Sequence, residues 1–185
     1  MYKLQVMKNT QLLLTRHGET LENQRHVLQG QLPGTLSPLG IRQAKLLADK
    51  LLDEPLDVIV CSDLARSFDT ALAVAEKHGL KPVATPLLRE MDWGIYTGES
   101  LADVDWLHLP ESVESVEALY QRARQFIQYL QTAYGGQKIL AVGHGAFNRA
   151  ILTVLEGKKA FEMVEMRIMD NTEIIRLNIE DCKVY

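Results

Sequence analysis

Three short apolar runs, Gln11 to Thr15, Asp57 to Cys61 and Lys138 to Val142, each stop at a cluster of polar residues, with glycine in the first and third. Runs of this length, bounded by turn-forming residues, read as buried strands. Segments with helical spacing separate them. Ser37-Pro38 supplies an N-cap residue with proline at the first helical position, and Ile41, Ala44, Leu47, Ala48 and Leu51 then share one face of a helix to about Leu52. Ser62 or Asp63 is expected to cap a second helix carrying Ala65, Phe68, Ala71, Leu72 and Ala75 before Gly79. A long helix is predicted from Ser112 to Tyr134, ending at Gly135-Gly136. Lys81 to Thr85, crowded by Pro82 and Pro86, suits a short or edge strand, and Leu87 to Pro110 reads as loop. Helices from Ala146 to about Leu155 and around Phe161 to Met166, then a strand from Glu173 to Ile179, complete the chain. This alternation predicts one α/β domain over residues 1–185, a three-layer α/β/α sandwich with a mostly parallel central sheet.

A chain of 185 residues can bury roughly 70% of its unfolded surface, enough for one core. The net charge of −4 gives no general attraction for nucleic acid or an anionic membrane surface, so anion binding would have to be local. No apolar run approaches the roughly 18 residues that a membrane span needs. Met1 to Thr10 mixes Lys3, Gln5, Lys8 and Asn9 among its apolar residues and lacks the pattern of a secretory signal, which predicts a cytoplasmic protein. Cys61 and Cys182 suit neither a disulfide framework nor a zinc site and are expected to stay reduced.

In open α/β sheets, ligands bind beyond the carboxyl ends of the strands. Three unusual sequences stand at such ends: Arg16-His17-Gly18-Glu19-Thr20, Ser62-Asp63-Leu64-Ala65-Arg66 and Gly143-His144-Gly145. Two histidines and two arginines are thereby brought to one edge. Each has a plainer role open to it. His17 suits an ordinary loop, Arg66 an exposed salt bridge, and His144 a buried ring bonded to backbone.

Thr15-Arg16-His17-Gly18-Glu19-Thr20 with Asn23 resembles the Arg-His-Gly signature of the histidine phosphatase superfamily, which includes the cofactor-dependent phosphoglycerate mutases. Further matching segments follow in order: Gln29-Gly30; Leu36-Ser37 with Gly40 and Gln43-Ala44; Ser62-Asp63-Leu64 with Arg66 and Thr70-Ala71; Leu88-Arg89-Glu90 with Gly94 and Gly98; and Val142 with His144-Gly145 and Arg149. The resemblance implies a phosphoglycerate mutase-like fold and metal-independent hydrolysis of a small-molecule phosphomonoester. His17 is then the nucleophile and Glu90 the proton donor, with Asp92 or Glu99 as substitutes for it. Arg16, Arg66 and His144 surround the phosphoryl group, and Asn23 and the Gly18 backbone amide add phosphate contacts. No cofactor is expected. The five histidines show no His-Glu-x-x-His pattern, and no P-loop sequence occurs.

The family often has Arg, Asp and Pro where this chain has Gln31, Pro33 and Thr35, and Glu where it has Thr97. It commonly has Ser at the position of Gly143 and an aliphatic residue at that of Asn148. Between Arg89 and Arg122, after Glu90, seven acidic residues occur without a Lys or Arg. They are expected on the pocket rim, where they would repel phosphoglycerates, and the longer basic insertion that mutases carry here is missing. Trp93, Tyr96 and Trp106 add aromatic surface suited to an apolar or ring-containing leaving group. Pro110-Glu111-Ser112 is similar to the helix start of the alpha-ribazole phosphatases, which makes alpha-ribazole phosphate one expected substrate. Phosphoglycerate mutation and phosphate binding without turnover are the alternatives. A mere binding module needs neither His17 nor Glu90.

Overall fold

Residues on a strand face alternately to its two sides, and the central strands of this chain are apolar on both. A computed structural model describes residues 9–179. Its strands are β1 (Thr10–Arg16), β2 (Val58–Ser62), β3 (Val83–Thr85), β4 (Lys138–Gly143) and β5 (Ile174–Ile179). They form one sheet in the order β3-β2-β4-β1-β5. All neighbours are parallel except β5, which runs antiparallel to β1 at one edge. The proline-flanked β3 forms the other edge, where a missing N–H costs least.

The helices are α1 (Leu21–Gln24), α2 (Pro38–Lys50), α3 (Ala65–His78), α4 (Val116–Tyr134) and α5 (Gly145–Leu155). Leu13, Ile59, Cys61, Leu140 and Val142 face one side of the sheet and pack with α2 and α3 through Leu47, Ala71 and Val74. Leu12, Leu14, Val58, Val60, Ile139 and Ala141 face the other and pack with α4 and α5 through Phe126, Leu130, Phe147 and Ile151. The three-layer sandwich is therefore the expected one, with a core on each side of the sheet. No described helix is long and apolar enough to cross a membrane.

Several element boundaries differ from expectation, each for a local reason. Leu64 is the N-cap of α3 and makes no side-chain cap bond. Asp63 is drawn away to Arg89 at 2.6 Å, while Ser62 Oγ accepts from the Leu64 amide. The helix α4 starts at Val116, with Ser115 as its cap. The Glu114 carboxylate instead pairs with Arg122 at 2.7 Å. Thr20 and Asn23 form a reciprocal cap that creates the unexpected α1. Single 3₁₀ turns punctuate the segment expected as loop, at Pro86–Leu88, Gly94–Tyr96 and Leu101–Asp103. The helix expected near Phe161 to Met166 is a 3₁₀ helix, Ala160–Glu165. Cys61 is buried and free, with burial pushing its thiol pKa up to about 12, while Cys182 and most of Met1 to Thr10 lie outside the described residues.

Candidate active site

Because β1 and β4 pair in parallel with Arg16 opposite Gly143, the residues that follow each strand emerge side by side. The His17 amide donates to the Gly143 carbonyl at 3.0 Å. The rings of His17 and His144 lie edge to face with centroids 5.1 Å apart. Arg66, on the first turn of α3, reaches the same place from β2.

The Arg16-His17-Gly18 backbone is pinned on every side. Asn171 Nδ2 donates to the His17 carbonyl at 2.8 Å, and the Thr172 amide to the Arg16 carbonyl at 2.9 Å. Asn148 Nδ2 donates to the Thr15 carbonyl at 2.9 Å. The Gly18 amide donates to Thr70 Oγ1 at 3.0 Å. That last bond corrects one expectation, since the Gly18 N–H is committed to α3 and does not line the cavity.

His17 is buried, and its ring is oriented by two bonds. Nδ1 lies 2.7 Å from the Gly18 carbonyl, an acceptor, so this nitrogen carries the proton. Nε2 accepts from Arg66 Nε at 3.2 Å, which requires a lone pair there. Burial, then the charges of Arg66 and Arg16, hold the His17 pKa well below the ordinary imidazole value against the pull of the Gly18 bond. His144 is shifted in the same direction by burial, then by Arg66 and its other neighbours. Both rings are neutral at neutral pH.

Arg66 is 1% exposed and held in a fork of backbone carbonyls. Its Nη2 donates to Gly30 at 2.8 Å, and Nη1 to Pro33 at 3.3 Å and to Leu32. Burial lowers its pKa to about 10, still cationic at neutral pH. The exposed salt bridge open to it in the sequence is not what forms. Arg16 donates through Nη1 to the Met169 carbonyl at 3.0 Å. Arg16 Nε, Arg149 Nε, Gln29 Oε1 and both ring nitrogens of His144 are buried and have no hydrogen-bond partner among the described residues. Cationic donors without acceptors, gathered beside a neutral imidazole, suit an anion with several oxygens.

Glu90 stands on the N-terminus of α5. Its Oε1 accepts from the Met91 amide at 2.8 Å and the Phe147 amide at 3.0 Å, and its Oε2 from the Ala146 amide at 3.1 Å. Arg122 holds the preceding turn by donating to the carbonyls of Leu87, Arg89 and Glu90 at 3.2, 2.6 and 3.3 Å. Arg122, Asn148, Asn171 and Thr70 were thus missed as positioning groups. Thr70 stands in a matching segment and Asn148 at a departure from the family's pattern, but neither the sequence around them nor that around Arg122 and Asn171 points to a positioning role.

A cavity of about 280 Å³ is lined by Arg16, His17, Asn23, Gln29, Arg66, Glu90 and Arg149 on its polar side, while His144, expected around the phosphoryl group, is fully buried and does not line it. Asn23 Oδ1 accepts from the Thr20 amide at 3.1 Å, so the nitrogen end of that amide is the one able to donate to a phosphate oxygen. Val27, Leu28, Trp93, Leu101, Trp106 and Ile168 form the apolar side. Tyr96 does not line it. None of the seven acidic residues expected on the rim does either, Asp92 and Glu99 among them. Asp92 Oδ1 accepts from the Gly94 amide, Asp105 from Leu107 and His108, and Glu114 from Arg122. Their own neighbours satisfy these carboxylates, and the wall this segment gives the cavity is apolar.

Residues 12–185 match the family described as histidine phosphatase superfamily (branch 1). The chain is 33% identical over 160 residues to phosphoserine phosphatase 1 of Hydrogenobacter thermophilus, covering 79% of this chain and 76% of that protein. It is 30% identical over 186 residues to the Yersinia pestis (strain Pestoides F) protein named "Probable phosphoglycerate mutase GpmB", covering 92% and 86%. The solved structure of the alpha-ribazole phosphatase from Shigella flexneri superimposes with a TM-score of 0.81 at 30% identity, covering 90% of this chain and 89% of that one.

Proposed function

We propose that this chain, which belongs to branch 1 of the histidine phosphatase superfamily and is a phosphatase, hydrolyses a small-molecule phosphomonoester through a phosphohistidine on His17, without a metal. The observation that carries this reading is the orientation of His17. With Nδ1 held by the Gly18 carbonyl, the basic lone pair is on Nε2, which accepts from Arg66, and both residues line the cavity.

In the first step Nε2 attacks phosphorus, the N–P bond forms and the bond from phosphorus to the alcohol oxygen breaks. A neutral imidazole needs no prior deprotonation, so the depressed pKa keeps the nucleophile ready. The Arg66 N–H that Nε2 accepts in the resting site turns to a phosphate oxygen as the substrate enters. Arg16 and Arg66 offset the charge on the transferring group, with Asn23 as a further donor, while His144 packs edge to face with His17 outside the cavity lining. Glu90 protonates the leaving alkoxide. Its Oε1 already takes two amide bonds and its Oε2 one, which makes Oε2 the oxygen suited to carrying the proton. In the second step the same oxygen takes a proton from water, the water oxygen bonds to phosphorus, the N–P bond breaks with its electron pair returning to Nε2, and inorganic phosphate forms.

Retention of both nucleophile and acid in one cavity disfavours binding without turnover. The named activity of the Shigella flexneri neighbour makes alpha-ribazole phosphate a candidate substrate, and we place the reaction in the cytoplasm. Protein treated with chelator should release phosphate from a panel of monoesters, and acid-labile, base-stable label should be trapped on His17 by rapid quench. Activity restored only by added divalent metal, or full turnover by His17→Ala, would overturn the mechanism.

A further inference from the structure

We propose that the apolar side of the cavity is a leaving-group subsite for an uncharged planar ring, so that the substrates are phosphomonoesters of ring-bearing alcohols. This deepens the phosphatase reading and rests on it. The wall is built in advance of any ligand. The amide of Leu28 donates to the Glu99 carbonyl at 2.9 Å, that of Gly98 to Leu28 at 2.7 Å, and that of Leu101 to His26 at 2.9 Å. A short antiparallel bridge between Val27 and Ser100 locks the two segments together. Val27, Leu28 and Leu101 are therefore presented to the cavity by paired backbone rather than by a loose loop.

Trp93 and Trp106 complete that wall, meeting edge to face with ring centroids 5.7 Å apart. Trp93 packs against the core, which leaves it a fixed support for its partner. Trp106 is 52% exposed, Ile168 45% and Leu101 40%. A single exposed apolar side chain needs no explanation, but three around one cavity mouth, beside a phosphate cradle, mark a ligand-covered surface. An edge-to-face tryptophan pair offers an aromatic face on which a further ring can stack.

Charge separates this substrate class from others. The charged residues lining the cavity are Arg16, Arg66, Glu90 and Arg149. The first three are engaged by the phosphoryl transfer. The acidic residues of the wall segment that would select a cation do not line it. A carboxylated leaving group would have Arg149 alone, and an ammonium group no carboxylate beyond Glu90.

Esters of primary alcohols keep the leaving-group chemistry constant while the ring varies. Benzyl phosphate and 2-naphthylmethyl phosphate are compared with glycerol 3-phosphate, phosphoserine and 3-phosphoglycerate on the full-length protein. The naphthylmethyl ester should lead in kcat/KM over glycerol 3-phosphate by roughly 10–200-fold, the scale on which apolar pocket contacts discriminate. Trp106→Ala should remove most of that lead through KM, and Trp106→Phe should keep a large part of it. Equal turnover of ring and non-ring esters would overturn the subsite, as would loss by Trp106→Ala in equal proportion on every ester. A preference for phosphoserine or 3-phosphoglycerate would assign the wall's neighbour Arg149 as the specificity group instead. No turnover of any monoester would reject the phosphatase reading itself, a separate outcome.

Discussion

A Cβ placed on Gly143 would lie 2.1 Å from Oδ1 of Asn148, far inside contact distance. The bare backbone at 143 and the amide at 148 therefore go together in this fold. Losing the side chain at 143 makes room for the amide at 148, whose Nδ2 holds the Thr15 carbonyl just before Arg16 and His17. Gly143→Ala should cost about 1–3 kcal/mol by overpacking, and Asn148→Ala about 1–3 kcal/mol by removing a buried donor. Combined, they should cost less than their sum, with the double variant more stable than Gly143→Ala alone. Urea unfolding of the four proteins measures this, and simple addition of the losses would show that the two residues do not compete for space.

Arg66→Lys should behave as a severe change. The guanidinium bonds His17 and three carbonyls of the 30–33 turn at once, and a lysine nitrogen cannot reproduce that planar fork. Turnover should fall by about 10²–10³-fold, the scale for losing one donor to developing charge. The melting temperature should fall as well, because buried carbonyls lose their donor. Unchanged melting together with lost turnover would confine Arg66 to the chemistry.

Stability should weaken in mild acid through the two neutral histidines. Folding lowers the pKa of both His17 and His144, so below about pH 6.5 the unfolded chain binds protons that the folded chain refuses. The free energy of unfolding then rises with pH between the folded and unfolded values. Their contribution is full above the unfolded pKa and is lost as pH falls from there toward the folded pKa. Each group contributes at most about 1.4 kcal/mol per pH unit over that window. His144→Gln should flatten the decline between pH 6.5 and 5 in denaturant titrations. An unchanged slope would mean that His144 takes up its proton in the fold without penalty.

The strands and the nucleophile were legible because they depend on neighbours in sequence. Leu12 to Leu14 alternate between two helical layers, and a polar cluster after such a run stands at the sheet's carboxyl edge. The cavity wall was not legible, because Val27, Leu28, Leu101 and Ile168 are ordinary apolar residues. The backbone pairing of residues 26–28 with residues 98–101, the Val27–Ser100 bridge included, gives the first three their place. The acidic segment misled for a related reason. Counting charges from Asp92 to Glu117 ignores the amides, and the arginine Arg122, that turn Asp92, Asp105 and Glu114 away from the cavity.

Glu90→Gln should separate substrates by leaving group. Nitrophenolate departs readily without a proton, whereas an alkoxide does not, so formation of phosphohistidine should slow by about 10²–10⁴-fold for an alkyl phosphate and much less for p-nitrophenyl phosphate. Pre-steady-state bursts isolate that step from hydrolysis of the intermediate, in which Glu90 is the proposed base. Equal slowing of both substrates would remove Glu90 from the acid role. Neither Asp92 nor Glu99 lines the cavity to replace it.

Water, rather than a second oxygen of phosphoglycerate, should be the final acceptor from phosphohistidine. A mutase must retain a bisphosphate while it turns over, which needs cationic partners at both ends of the molecule. Here the cations Arg16, Arg66 and Arg149 line the cavity together with Glu90, while the outer wall is Val27, Leu28, Trp93, Leu101, Trp106 and Ile168. Burying a second phosphate against that wall would desolvate its charge without compensation. The resemblance to a Yersinia pestis protein named for mutase activity makes the comparison worth a direct assay. With 3-phosphoglycerate and a trace of 2,3-bisphosphoglycerate, released phosphate should exceed 2-phosphoglycerate, and bisphosphoglycerate should be consumed rather than recycled. Isomerisation outrunning phosphate release would show that Arg149 and the cradle suffice to hold both ends, and the chain would then be a mutase despite its apolar wall.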